Sequence, residues 1–210
     1  MGTRERRERE KAEVREKILD AARDLFANEG YEAVTMRKIA ERIEYSPTVI
    51  YLYFKDKESV LHELCEIDFA ALAQSFTSIA QISDPIERIY KAGFAYTEFA
   101  LEHPNHYRLM FMTPHPPLDP TADGGEKVNP GEEAYAFLRG TVHAAMEAGR
   151  FRPTLDDPEL IAQTLWAGLH GGVALQIAKA NEGWIDWRPE SRRMELMIDV
   201  LLRGLVQHED

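Results

Sequence analysis

Cysteine is nearly absent. The single Cys65 excludes an internal disulfide framework and a cysteine-rich zinc module, and it fits a reducing compartment. The first eighteen residues, Met1 to Ile18, are dominated by Arg, Lys and Glu and lack the apolar centre of a signal peptide, so export is not indicated. Long hydrophobic runs are missing as well. The most apolar stretch, Leu165 to Ala178, is interrupted by Gly168, His170, Gly171, Gly172 and Gln176 and does not read as a membrane span. A soluble, cytoplasmic chain with no membrane partner is the expectation. Period-two runs rich in β-branched residues are lacking, which leaves no basis for a sheet, and no internal repeat or long low-complexity tract appears. No Ser/His/Asp arrangement, Gly-rich phosphate loop or paired-carboxylate motif stands out, so an enzyme reading has no reaction to attach to and no cofactor is implied. His103 and His106 have the spacing of a metal pair, but Pro104 lies between them and no carboxylate cluster accompanies them. A helix-end role is preferred to a metal site.

What is present is a chain of 210 residues, 44% hydrophobic, enough for one or two ordinary globular domains. Its 25 Lys and Arg against 36 Asp and Glu give a net charge of -11, which at first argues against a nucleic-acid partner. The charge is unevenly spread. Met1 to His62 hold thirteen basic and thirteen acidic residues, whereas Glu63 to Asp210 hold twelve and twenty-three. All of the excess is in the second part, so an acidic body coexists with a neutral head in which local cations can approach phosphate.

The periodicity is helical throughout. Val14, Ile18, Ala22 and Leu25 share one helix face, and Gly30 supplies a stop. Thr35 is a good N-cap for a short helix that buries Met36, Ile39, Ala40 and Ile43 and turns Arg37, Lys38 and Arg42 outward. Ser46-Pro47 then opens a second short helix of about two turns, to Tyr53. Asp56 caps a long fourth helix carrying Leu61, Leu64, Cys65, Phe69, Leu72 and Phe76. Asp84-Pro85 starts another, which reaches His103 and resumes in a new direction from Asn105 to Met112. Five Pro and three Gly between Pro114 and Gly131 predict a long mobile loop. Helices follow over Glu132 to Ala148, Pro158 to about Asn181, and Pro189 to about Gln207.

Several ordered blocks carry a family resemblance. Ile18-Leu-Asp-Ala-Ala-Arg-Asp-Leu-Phe26, Gly30-Tyr31, Thr35-Met-Arg-Lys-Ile-Ala40 and Ser46-Pro-Thr-Val-Ile-Tyr-Leu-Tyr-Phe-Lys-Asp-Lys-Glu58 together resemble the DNA-binding domain of the TetR/AcrR family of bacterial transcriptional regulators. The match spans Ile18 to Leu61, about a fifth of the chain. Further on, Trp166-Ala-Gly-Leu-His170-Gly171 is similar to the Trp, His, Gly signature of one C-terminal subgroup, as is His103-Pro-Asn-His-Tyr-Arg-Leu-Met-Phe111. The resemblance implies an all-α fold, with a three-helix helix-turn-helix head over residues 1–56 and a larger helical ligand-binding and dimerisation domain over 57–210. Two positions depart from the pattern. Ile43-Glu44-Tyr45 stands where Ala-Gly-Val is frequent, and Thr48-Val49 where Gly-Thr is common. Val49 has no hydroxyl to give a phosphate, so that contact is not carried over, and Thr48 offers one a place earlier.

A helix-turn-helix lays its second helix in the major groove, where base edges are distinguishable. Ser46 to Tyr53 take that role. Tyr45, Ser46, Pro47 and Thr48 are placed to reach bases or a thymine methyl, and Tyr51 and Tyr53 offer phenolic hydroxyls to phosphate. Tyr51 matches the family's aromatic contact position. Thr35 and Arg37 are phosphate candidates on the supporting helix. Lys55 and Lys57 flank the start of the fourth helix, where free N–H groups already favour an anion, and Lys57 matches the family's phosphate-anchoring lysine. Phe54 is assigned to the small core of the head, and Lys38 and Arg42 to solvated pairing beside Glu41. The arm of Arg4, Arg6, Arg7, Arg9 and Lys11 has two readings, a DNA contact or a solvated helix end, because Glu5, Glu8 and Glu10 alternate with it.

A palindromic operator on double-stranded DNA requires a two-fold protein. Ala162, Ala167, Gly168, Gly171, Gly172 and Ala174 allow close helix approach, and Met194, Met197, Ile198, Leu201 and Leu205 form an apolar stripe. A homodimer built on the last two helices is expected, against the alternative of an intramolecular core. For a small-molecule effector the candidates are Tyr96, Phe99, Tyr107, Phe111, Trp166 and His170, although His170 also reads as a structural histidine. The leading function is a homodimeric repressor released from its operator by a hydrophobic or amphipathic ligand. The alternatives are a ligand-independent DNA-binding scaffold controlled by a protein partner, and a helical body with catalytic activity.

Overall fold

The computed structural model describes residues 3–114 and 131–207, and every element among them is helical apart from turns and one isolated bridge. The loop expected between Pro114 and Gly131 falls on residues 115–130, outside the described residues. In order, the helices are α1 (Thr3–Glu29), α2 (Met36–Arg42), α3 (Pro47–Ile50), α4 (Lys57–Ser75), α5 (Pro85–Glu102), α6 (Pro104–Tyr107), α7 (Glu132–Glu147), α8 (Pro158–Lys179) and α9 (Glu190–Leu205). A 3₁₀ turn, Ile79–Gln81, precedes α5, and a π turn, Arg108–Met112, continues α6.

The starts and stops follow the expected chemistry. Thr35 is extended at φ -129°, and its hydroxyl accepts from the Lys38 N–H. Asp84 and Asp157 each accept from two N–H groups of the turn that follows, with Pro85 and Pro158 at the first helical position where no N–H is needed. Asp56 and Ser59 bond each other reciprocally at the head of α4. Gly149 closes α7 at φ +65°, donating to the Met146 carbonyl while Arg150 donates to Ala145, the pattern of a Schellman stop. The same two bonds close α2, from Glu44 to Glu41 and from Tyr45 to Ala40, but there the left-handed residue is Glu44, at φ +60°. The position where the family often places glycine therefore needs glycine's conformation and fills it with glutamate.

The chain forms two compact units. The first comprises α1 to α3, α4 as far as Phe69, and the segment from Asn105. Its core is Ile18, Ala22, Leu25 and Phe26 of α1, Ile39 and Ala40 of α2, Ile50 of α3, and Val60 and Leu64 of α4, all almost fully buried. Polar groups pin the unit's edge: Asp68 accepts from Arg23 Nη2 at 3.0 Å and faces His106 Nδ1 at 3.0 Å, and Asn105 donates to Asp24. Tyr107 is wholly buried, with Phe111 4.9 Å away and Phe69 packed edge-on to Phe111.

The second unit holds the end of α4, α5, and α7 to α9. Its helices meet at small residues. A methyl group at Gly168 would lie 2.7 Å from Leu201 Cδ1, one at Gly172 2.9 Å from Met194 Cε, and one at Gly93 3.1 Å from Ile198 Cδ1. The close approach read from these glycines is thus used inside the chain, between α8 and α9 and between α5 and α9. Met194, Ile198 and Leu205 of the expected stripe are buried there, and Met197 and Leu201 half-buried. Phe151 and Val206 form an isolated antiparallel bridge that ties the end of α9 to the turn after α7.

Candidate nucleic-acid interface

The head's outer surface follows from how α2 and α3 bury their apolar sides. Met36, Ile39, Ala40 and Ile50 turn inward, while Thr35 and Arg37 at the start of α2, and Tyr45, Ser46, Pro47 and Thr48 from the turn after Glu44 into the start of α3, are exposed. The second helix is shorter than its sequence suggests. Regular α geometry ends at Ile50, and the chain continues through Tyr53 in i→i+3 turns, with Leu52 bonded to Val49 and Tyr53 to Ile50. The tighter winding fits Val49 and Ile50, whose branching crowds a regular α turn.

Tyr51 is 56% exposed and Tyr53 half-buried, while Phe54 is buried in the head's core as expected. Val49 is half-buried beside the exposed Thr48, so the available hydroxyl is the threonine's. Arg37 binds Glu41 Oε1 at 2.8 Å, with both side chains largely in solvent. Such a pair contributes little and is readily exchanged for phosphate. Lys55 is exposed. Lys57 is half-buried, donates to the Tyr31 carbonyl at 3.0 Å and lies 4.1 Å over the Tyr31 ring. An ammonium has three donors, so two remain beyond that anchor.

Two residues of this surface escape the sequence reading. Arg42 was paired with its neighbour Glu41, but adjacent helical residues point apart, and Glu41 instead meets Arg37 one turn back. Arg42 is exposed and has no ion-pair partner among the described residues. Leu52, between the two tyrosines, is 74% exposed. An apolar residue at that position in an otherwise core-forming block gives no sequence signal of its outward direction.

The six effector candidates divide between the two units. Tyr107 and Phe111 belong to the first, with Phe69. In the second, Trp166 Nε1 donates to the Tyr96 hydroxyl at 3.2 Å, and that oxygen lies 3.2 Å from His170 Nδ1. An indole can only donate, so the tyrosine accepts from it and has its own proton to give the imidazole. Burial pushes His170 below its ordinary value, which favours the neutral imidazole that this donor order uses. Tyr135 joins by ring contact to Trp166 and by a 2.8 Å bond to Glu159. Phe99 packs on the His103 ring. An open groove of about 420 Å³ on the other side of α5 is lined by other residues, among them Ser75, Ser78, Ile79, Lys91, Phe94 and Glu98. His103 and His106 engage Phe99 and Asp68 respectively, and among the described residues no three His, Cys, Asp or Glu side chains group as metal ligands. No described helix is long and apolar enough to cross a membrane.

Residues 18–64 match the profile of the bacterial regulatory proteins of the tetR family, and residues 89–201, more than half of the chain, match that of the tetracyclin repressor-like C-terminal domain. Among curated relatives, the HTH-type transcriptional repressor AcnR of Corynebacterium diphtheriae is 38% identical over 60 residues, 29% of this chain and 32% of that protein. The chain therefore aligns with about a third of that repressor's length. The uncharacterized HTH-type transcriptional regulator YhgD of Bacillus subtilis is 25% identical over 146 residues, 69% of this chain and 74% of the relative. Among solved structures, the TetR family transcriptional regulator PfmR of Thermus thermophilus superposes with a TM-score of 0.71 at 21% identity, covering 91% of this chain and 96% of that one. At that identity the likeness concerns the fold.

Proposed function

The chain belongs to the TetR family of bacterial regulatory proteins, and from that premise we propose that it is a homodimeric repressor that holds a palindromic operator and is released by a small hydrophobic or amphipathic ligand. The observation that carries the DNA-binding part is the exposed run from Tyr45 to Thr48 with Tyr51 beyond it, polar and aromatic groups on a turn and helix whose other side is core. In this reading Tyr45, Ser46, Pro47 and Thr48 face base edges, and Thr35, Arg37, Tyr51, Tyr53, Lys55 and Lys57 face the phosphates on either side. Electrophoretic shift on a duplex selected in vitro with the full-length protein tests it. Tyr51→Ala removes a hydrogen bond to a charged phosphate, a contribution of about 1.5 kcal/mol, so affinity should fall at least tenfold. Unchanged affinity would remove Tyr51 from the interface.

The homodimer is supported by the face of α8 and α9 left uncovered in the subunit. Leu160, Ala167, Gly171 and Leu175 of α8 and Leu196 and Val200 of α9 are all exposed. Isologous packing of two such faces gives the two-fold that a palindrome needs. The effector reading is supported by the Trp166, Tyr96 and His170 chain, polar handles set within an apolar helix pair, and two of these residues, Trp166 and His170, also support assignment to the Trp, His, Gly subgroup. Release requires the ligand to favour the head spacing that does not fit the operator, since equal affinity for both spacings shifts nothing. Thermal shift with a lipophilic ligand panel, compared between wild type and Trp166→Ala, checks this part. A shift that survives the substitution unchanged would place the ligand elsewhere.

A further inference from the structure

The end of α4, the turns that follow it and one side of α5 border an open groove of about 420 Å³ in the second unit. One wall is the connecting chain, with Ser75 closing α4, Ser78 before the 3₁₀ turn, and the half-buried Ile79 and Ile82. The floor is α5. Ala95 contributes only a methyl group there, and Phe94 stands beside it with its ring held by Tyr90 at 5.0 Å.

The floor carries one charge of each sign. Lys91 and Glu98 both line the groove, both are exposed, and neither has an ion-pair partner among the described residues. Seven helical positions turn through about 700° and rise about 10.5 Å, so the two residues lie within about 20° of one line along α5, two turns apart. Side chains on a helix lean toward its N-terminus, so both heads shift the same way and the spacing persists. Phe94 and Ala95 flank that line between them. The groove thus presents a cation at one end, a carboxylate at the other, and an apolar middle.

This spacing selects among ligands. An apolar acid lying along the groove would satisfy Lys91 and run its tail against Glu98, and an apolar amine would do the reverse. A free amino acid is too short to reach both ends. Extended backbone advances about 3.4 Å per residue, so three residues span about 10 Å, with an ammonium at one terminus and a carboxylate at the other. The wall also suits a backbone. The Ser75 hydroxyl donates to the Leu72 carbonyl at 2.6 Å, which leaves its acceptor side for a peptide N–H, and the Ser78 hydroxyl caps no helical N–H and can donate or accept.

We propose that this groove binds a short apolar peptide with free termini, about three residues long, its carboxylate on Lys91, its ammonium on Glu98 and its side chains against Phe94, Ile79 and Ile82. The site is separate from the Trp166, Tyr96 and His170 chain on the other side of α5, and it does not depend on the DNA-binding reading.

Isothermal titration of the full-length protein with the tripeptide Leu-Ala-Leu tests this. One peptide should bind per subunit with a Kd below about 1 mM. Acetyl-Leu-Ala-Leu-amide, which lacks both terminal charges, should bind at least about tenfold more weakly, as each terminus loses a hydrogen bond to a charged group. Lys91→Glu should weaken the free tripeptide by at least about tenfold. Lys91→Glu/Glu98→Lys should restore binding to within about threefold of wild type, because a peptide with leucine at both ends can lie in the reverse direction. Both positions are exposed, so the fold tolerates these changes. No heat with millimolar peptide, equal affinity for the blocked peptide, or a charge exchange that fails to restore binding would overturn the site. Binding lost in Trp166→Ala and kept in Lys91→Glu would overturn it as well, by moving the peptide to the other side of α5.

Discussion

Replacing Asp68 by alanine should cost more than any exposed charge substitution in this chain. The carboxylate is fully buried, accepts from Arg23 at Nη2 and Nε, and faces His106 Nδ1 at 3.0 Å. Arg23 is itself nearly buried, and its other partner, Asp20, is largely in solvent. Truncating Asp68 leaves a guanidinium in the interior with only that outer carboxylate to balance it. Breaking one side of a buried pair costs about 3–5 kcal/mol, and the surviving Asp20 contact puts the expectation near the lower end, about 3 kcal/mol. For a chain of this size that is a loss of roughly 6–12 °C in melting temperature. Urea unfolding followed by far-UV circular dichroism, at one fixed protein concentration, measures it.

The companion variants separate charge from packing. Arg23→Met/Asp68→Leu removes both charges and fills the space with apolar volume, so it should be less destabilised than Asp68→Ala alone. An Asp68→Ala cost below about 1 kcal/mol, or a double variant equal to the sum of its singles, would refute the buried-pair account.

Four further outcomes are expected. Glu44→Gly should stabilise the protein by about 0.5–1 kcal/mol, because relief of the left-handed backbone exceeds glycine's added chain entropy; a loss of stability would contradict the assignment of strain there. Burial, with the Asp68 charge adding to it, pushes the Cys65 thiol up to about 12, so iodoacetamide at pH 8 should label it only on unfolding, and rapid labelling of native protein would count against that. His170 is held below its ordinary value of 6.5 by burial, so the unfolded chain takes up that proton first and the stability present above pH 6.5 declines as the pH falls; the urea midpoint of wild type should therefore drop more between pH 7.5 and 5.5 than that of His170→Gln, and equal drops would refute the claim. Gly171 has open space around it and lies on the uncovered face, so Gly171→Arg should favour the α8 helix by up to about 1 kcal/mol while converting a dimer to monomer in sedimentation, and a persisting dimer would move the interface elsewhere.

Much of the fold is legible because its punctuation is chemical and local. Thr35, Asp84-Pro85, Asp157-Pro158, Gly30 and Gly149 act within one turn of themselves, so the residues announce the helix ends without knowledge of the tertiary structure. The head's blocks are similarly dense in information, since their buried residues recur at helical spacing, as at Ile18, Ala22 and Leu25. The length of α3 is less legible, because Ser46-Pro47 specifies where it opens and nothing comparable specifies where regular α geometry yields to tighter turns. Lys57 illustrates a different limit. Its attachment to Tyr31 spans twenty-six positions and depends on where the chain returns after two helices.

The glycines of α8 show why a surface is harder to read than a core. Gly168, Gly171 and Gly172 look alike in sequence, and each permits another helix to come close. Gly168 and Gly172 receive Leu201 and Met194 of the same chain, whereas among the described residues nothing lies within 4 Å of a methyl group placed at Gly171. One helical position is a rotation of about 100°, enough to carry a residue from the face packed on α9 to the uncovered one. A pattern of small residues therefore specifies that close packing occurs and leaves open which chain supplies the neighbour. The answer requires knowing which face α9 has already taken, and once Met194, Ile198 and Leu202 are seen to occupy one side, the stripe through Leu160, Ala167, Gly171 and Leu175 is what remains exposed, the face on which the proposed homodimer depends.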